Sequence, residues 1–254
     1  MKKDWIPREH GAWGMIGGAF LSVTAVHRTL TVPMVLFLLG FLALYLTRLA
    51  FQRFARGKWD SFDIQLIGIL ISIGLGFIFF ATYLADYWSF PFWVLVLVPF
   101  FGIELLFIRI HKSNHFVPQL MGTIGLSFIA ALTDGILHSQ MTLEGMALWA
   151  LNSLFFVAGI TIVRQQIAAR SDYKLGKGYL WGLRWSMVVY GIWGALLLVN
   201  ASPFLVTGWI VLFPVMVEVF IFSLNRIVVK DLKTLGWLQI AQTGLFIVIL
   251  SLVF

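Results

Sequence analysis

Apolar residues come along this chain in runs of roughly 20, the length a helix needs to cross the hydrocarbon core of a bilayer, with charges concentrated in the gaps between them. Cutting the sequence at its charged and turn-forming residues predicts spans at 11–27, 30–50, 63–84, 90–109, 116–137, 143–164, 180–199, 203–225 and 234–254. The cut between the seventh and eighth spans falls at Asn200-Ala201-Ser202-Pro203, turn chemistry in an otherwise uncharged stretch. The expected fold is all-α: a polytopic helical membrane protein of about nine transmembrane helices. Polar segments long enough for a soluble domain are missing from this pattern, so residues 1–254 read as one integral membrane domain.

Composition agrees with the pattern. Hydrophobic residues make up 60% of the chain and charged ones 11%, with a mean hydropathy of +0.94. The net charge of +7 therefore reports orientation and membrane lipids as partners, and no nucleic acid. Basic residues cluster on the N-terminal tail (Lys2, Lys3, Arg8) and after the second, fourth, sixth and eighth spans. Those loops hold Arg48, Arg53, Arg56 and Lys58; Arg109 and Lys112; Arg164, Arg170, Lys174, Lys177 and Arg184; and Arg226, Lys230 and Lys233. Arg28 alone falls on the other side. The alternation supports a multi-pass membrane protein with its N-terminus in the cytoplasm. The first span also has the shape of a signal peptide, but Gly11, Gly14, Gly17 and Gly18 suit a helix packed closely on a neighbour. With no cysteine, disulfides and thiolate catalysis are excluded.

The chain also echoes itself weakly at about 115 residues, giving repeats at 8–113 and 114–230 and an extra final helix at 234–254. Pro99, Glu104 and Arg109 match Pro214, Glu218 and Arg226; Arg48 matches Arg164; "GMIG" at 14–17 matches "GTIG" at 122–125. Chance recurrence of Pro, Gly and charged helix ends is the competing explanation.

Three groups carry candidate chemistry. The loops "TRLAFQRFARGKWDSFD" and "VRQQIAARSDYKLGKG" bring Arg48, Arg53, Arg164 and Arg170 to the ends of apolar helices, where guanidinium forks suit an anionic head. Topology and anionic-lipid attraction are the alternative for the same residues. Asp60 and Asp63, three apart, have the spacing to hold Mg²⁺ or to cap the following helix, and Asp172 is the lone acid of the matching loop. They are weak metal candidates, and the expectation is no metal and no cofactor. Glu104 and Glu218, inside apolar helices, must face inward, either paired or lining a cavity. Asp86 and Asp134 read as interfacial residues near the external ends.

"PREHGAW" at 7–13 and the closing "LKTLGWLQIAQTGLFIVIL" resemble the YwiC-like family of bacterial membrane proteins, over essentially the whole chain. That resemblance brings no activity with it. The architecture is similar to that of the UbiA-type prenyltransferases, which implies a lipid-filled cavity open at the cytoplasmic face, with aspartate-rich Mg²⁺-diphosphate motifs after helices two and six. Here those loops carry arginines instead, so the resemblance implies a basic cavity that meets an anionic head directly. Arg8, Glu9 and His10 then form one wall of its mouth, with Arg8 and His10 toward the head and Glu9 beside Glu104 and Glu218 as a lining acid. The expected ligand is amphipathic, with an isoprenoid or acyl chain. Two classes remain: an enzyme of lipid or quinone-like metabolism, including a diverged Mg²⁺-dependent prenyltransferase, and a non-catalytic transporter or membrane assembly factor.

Overall fold

A computed structural model describes residues 10–55, 57, 61–110, 115–170, 187–192, 203–225 and 232–254, and its regular structure is helical throughout. In chain order the helices are α1 (His10–His27), α2 (Val32–Leu46), α3 (Arg48–Ala55), α4 (Ser61–Leu84), α5 (Phe90–Val94), α6 (Leu97–Arg109), α7 (Phe116–Ser127), α8 (Ile129–His138), α9 (Leu143–Arg170), α10 (187–192), α11 (Pro203–Asn225) and α12 (Leu232–Val253). Among the described residues six segments are long and apolar enough to cross a membrane: Val32–Phe54, Ser61–Leu84, Phe90–Arg109, Phe116–His138, Leu143–Gln166 and Thr234–Val253. They coincide with the predicted spans at 30–50, 63–84, 90–109, 116–137, 143–164 and 234–254. The expected span at 203–225 is α11, with a shorter apolar stretch at Val206–Ile221. Most of the span expected at 180–199 lies outside the described residues.

The outward surfaces of these helices are apolar. Phe79, Phe92 and Leu252 are 63%, 73% and 76% exposed, and only 17% of the apolar window of α4 is buried inside the protein. Faces of this size left in water would drive aggregation, whereas lipid solvates them. The chain is a multi-pass helical membrane protein.

Three predicted spans are interrupted helices rather than single rods. Thr47 separates α2 from α3, with its hydroxyl donating back to the Leu44 carbonyl at 2.6 Å. Leu95 and Val96 separate α5 from α6, and Phe128 separates α7 from α8, its N–H bonded to the Gly125 carbonyl at 3.2 Å. All four residues remain in the right-handed helical region, so the breaks tighten one turn without redirecting the chain.

The chain divides into two compact units, Met1–Thr24 with Thr29–Trp149, and Ala25–Arg28 with Ala150–Phe254. In the first, α2 packs along α4 at a backbone-to-backbone approach. A Cβ on Gly40 would lie 2.7 Å from the Gly74 carbonyl oxygen, and one on Gly74 would lie 2.9 Å from that of Gly40. Close packing was expected instead at the glycines of α1. Gly14 and Gly17 meet nothing within 4 Å and Gly11 only its own helix's Met15, whereas Gly18 is buried, as is the stripe of Ala12, Ile16, Ala19, Phe20 and Val23. Farther along this unit, Trp149 donates to the Ile124 carbonyl at 2.9 Å and sets its ring edge-on to Phe128, at 4.9 Å between centroids. In the second unit, Phe155 of α9 stacks on Phe246 of α12 with centroids 4.3 Å apart.

Candidate functional site

Helix α3 has eight residues, too few to hold itself together in isolation, and its sequence RLAFQRFA mixes Arg48, Gln52 and Arg53 with Phe51 and Phe54. Two ion pairs fix it to the neighbouring helices. At its start, Arg48 donates from Nε to Glu104 Oε1 of α6 at 2.9 Å and from Nη2 to the same oxygen. Its Nη1 reaches the Tyr45 hydroxyl at 3.3 Å, with the guanidinium carbon 5.8 Å from that ring's centroid. Tyr45 is in turn packed edge-on against Trp13 of α1 at 5.3 Å. The second carboxylate oxygen of Glu104 points at Gly122 of α7, where an added Cβ would sit 3.6 Å from Oε2.

At the other end of α3 the pairing is a true fork. Arg53 donates from Nε to Asp63 Oδ2 at 3.1 Å and from Nη2 to Oδ1. Asp63, in the first turn of α4, is 1% exposed and the Arg53 side chain 25%. A carboxylate so deeply buried is tolerated because both oxygens receive charged donors. Beside this pair lies a shallow, half-open apolar hollow of about 250 Å³ lined by Phe51, Phe54, Asp63, Ile64 and Ile67. The amphipathic helix thus has one cation on α6, one on α4, and its phenylalanines against an apolar recess.

The profile of the YwiC-like protein family matches residues 6–134, just over half of the 254-residue chain. The chain belongs to the YwiC-like family. No curated protein matches it, and no solved structure does. The match takes in "PREHGAW" and both ion pairs of α3, while the closing stretch that resembles the same family lies beyond it.

For this YwiC-like chain the sequence-derived site residues distribute as follows. Arg48 meets Glu104, and Arg53 meets Asp63, all within the first unit. Glu218 lies in the second unit, on α11, and accepts a hydrogen bond from Gln242 of α12. Arg164 is half-buried on α9. His10 opens α1 and Arg170 closes α9, but their side chains lie outside the described residues, as do Arg8, Glu9, Asp60 and Asp172 altogether. Asp63, weighed as a metal ligand or a helix cap, accepts from Arg53 at both oxygens.

Sequence reasoning missed a second polar cluster, at the opposite end of α4. Asp134, read from the sequence as interfacial near an external helix end, is fully buried, and the polar groups around it explain why. Thr142 donates to Asp134 Oδ2 and accepts from the Gly145 N–H at 2.8 Å, so one hydroxyl both caps the start of α9 and feeds the carboxylate. His138, one turn on, brings Nδ1 to 3.3 Å from Oδ1. Gly145 is required there, since a Cβ would lie 2.6 Å from Asp134 Oδ2. The available signal was the Asp134/His138 spacing of four, which places both on one helix face. Asp86 is exposed and accepts from Trp88 Nε1 at 2.6 Å.

Tyr87, in the turn between α4 and α5, is wholly buried under Gly135, whose Cβ would fall 2.8 Å from the phenol oxygen. Burial pushes this phenol up to about 12; Ser89 nearby works the other way, and the charge of Asp134 adds to the rise. Its hydroxyl has no hydrogen-bond partner of good geometry. The folded protein therefore holds the phenolic proton more tightly than the unfolded chain. This term is fully present below pH 10 and is lost as pH climbs from 10 to about 12, by on the order of 2 kcal/mol. Tyr87→Phe is expected to be as stable as the parent at neutral pH, or more so, and to lose that alkaline slope, measured by thermal unfolding in detergent across the range. A large loss at neutral pH would mean that the hydroxyl is bonded.

Proposed function

We propose that this YwiC-like membrane protein binds an amphipathic molecule with an anionic head, at the end of the first unit built by α3 and the start of α4. The observation that carries this is the apolar hollow lined by Phe51, Phe54, Ile64 and Ile67 directly beside the Arg53–Asp63 fork. An isoprenoid or acyl chain suits the hollow, and a phosphate or carboxylate head suits the fork by exchanging with the Asp63 carboxylate. The bias of the basic loops favours a cytoplasmic side for this end. The likeness to UbiA-type architecture rests on the number of expected spans, and the basic loops after the second and sixth depart from that pattern. With Asp63 taken up by arginine, the reading that follows is direct recognition of the head by guanidinium. A binder, transporter or assembly factor fits better than an enzyme, because the acids described at this end are already engaged with arginines.

Native mass spectrometry of the full chain extracted with its lipids tests this. A copurified amphiphile with an acidic head is expected. Its occupancy should fall several-fold in Arg53→Lys, which keeps the charge and loses the fork, and in Ile67→Trp, which fills the hollow. Ile69→Trp, on a residue 57% exposed, should leave occupancy unchanged. Equal occupancy in all three variants would refute the reading.

A further inference from the structure

The second compact unit holds a carboxylate that the proposed binding end does not use. Glu218 sits in α11 four residues after Pro214 and is 8% exposed, in a helix whose remaining side chains are almost all apolar. One oxygen, Oε2, accepts from Gln242 Nε2 of α12. The other, Oε1, is buried with no hydrogen-bond partner. Behind Gln242 the donors continue, because Gln239 Nε2 donates to Gln242 Oε1 at 3.3 Å. Gln239 is accommodated by Gly159 of α9, where a Cβ would meet its Oε1 at 2.6 Å. On α10, Tyr190 is 5% exposed and close enough to feel the charge of Glu218, but its hydroxyl is turned to the Leu154 carbonyl at 3.4 Å.

An ionised carboxylate in a membrane interior is costly unless a countercharge, a cation or a proton relieves it. Among the described residues no Arg, Lys or His makes a salt bridge with Glu218. A metal cation needs several oxygen ligands turned toward it. The groups facing Glu218 are arranged the other way: α12 presents an amide N–H, the oxygen of that amide is occupied by the next amide, and the titratable Tyr190 directs its hydroxyl to backbone. We propose that Glu218 is an intramembrane proton-binding site, with Gln242 holding one oxygen and Oε1 taking up and releasing the proton. Gln242, itself held by Gln239, keeps the carboxyl in one orientation in both states, since its N–H donor also bonds the carbonyl oxygen of the neutral acid. This site is independent of the binding reading above.

Dicyclohexylcarbodiimide is the probe. It reacts with a protonated carboxyl in an apolar setting: the acid proton moves to a carbodiimide nitrogen, the carboxyl oxygen adds to the central carbon, and rearrangement gives a stable N-acylurea with no atom lost. In the full-length protein in detergent or nanodiscs, peptide mass spectrometry should find the adduct on Glu218. The labelling rate should fall by about tenfold per pH unit once the carboxyl has ionised. Glu218→Gln should carry no adduct on that peptide. Infrared difference spectra of the parent protein between acid and alkaline buffer should show a protonated-carboxyl band, a measurement that stands even if the variant fails to fold. Absent labelling, labelling constant with pH, or protection by Na⁺ or K⁺ at fixed pH would each overturn the proposal, the last by giving the site to a cation.

Discussion

Glu104→Leu should destabilise the protein by about 3 kcal/mol or more, and adding Arg48→Met to the same chain should recover most of that loss. The pair sits at the junction of α2, α3 and α6, with side-chain exposures of 20% for Arg48 and 11% for Glu104. Removing the acid alone takes from a half-buried guanidinium the carboxylate oxygen to which it gives two hydrogen bonds. Removing both charges leaves a junction that apolar side chains can fill, so the double variant avoids the stranded charge. Unfolding of all three variants in one detergent, read as a double-mutant cycle, measures the coupling. If the double variant is no more stable than Glu104→Leu, the pair is not the element that holds α3 to α6.

Gly40→Ala should cost about 1 to 3 kcal/mol even though it adds a single methyl group. That methyl would fall 2.7 Å from the Gly74 carbonyl oxygen and 2.8 Å from Ile78 Cγ1, so α2 and α4 must separate along their whole contact. Backbone cannot rotate aside as the tip of a flexible side chain can. In a membrane, where lipid solvates apolar side chains as well as a neighbouring helix does, helix association depends on such close approach. Gly76→Ala, two residues beyond Gly74 with nothing within 4 Å, is the matched control and should be neutral or slightly stabilising. Equal thermal stability of the two variants would mean that this crossing contributes little to the fold.

Much of the architecture was readable before any coordinates. The positions of the long apolar helices follow from transfer of side chains between water and hydrocarbon, a one-dimensional property of consecutive residues. The turn at Thr47 was not readable in that way, nor those at Leu95-Val96 and Phe128, because none carries Gly or Pro and each break depends on what packs around it. The glycines of α1 divide: Gly18 is buried while Gly11 and Gly14 are exposed, because only the neighbours decide which stripe is covered.

The polar residues divide along the same line. That Glu104 and Glu218 must turn inward follows from the cost of charge in lipid, without any knowledge of partners. Which partner each finds is tertiary: Arg48 lies 56 residues from Glu104, Gln242 lies 24 from Glu218, and periodicity does not connect either pair. Asp63 could be read from the sequence as a cap or a metal ligand; that Arg53 donates to both its oxygens is a tertiary fact. Asp134 looked interfacial from its place near a helix end, and is buried because Thr142 and Gly145, in the next helix's first turn and its cap, close over it. The sequence by itself determined the solvent, the helical class and the positions of the long apolar helices, since these depend on the summed hydropathy of neighbours in the chain. The tertiary structure alone decided which charges are paired, which oxygen of Glu218 is hydrogen-bonded and where two backbones touch, since these depend on distances between residues far apart in sequence.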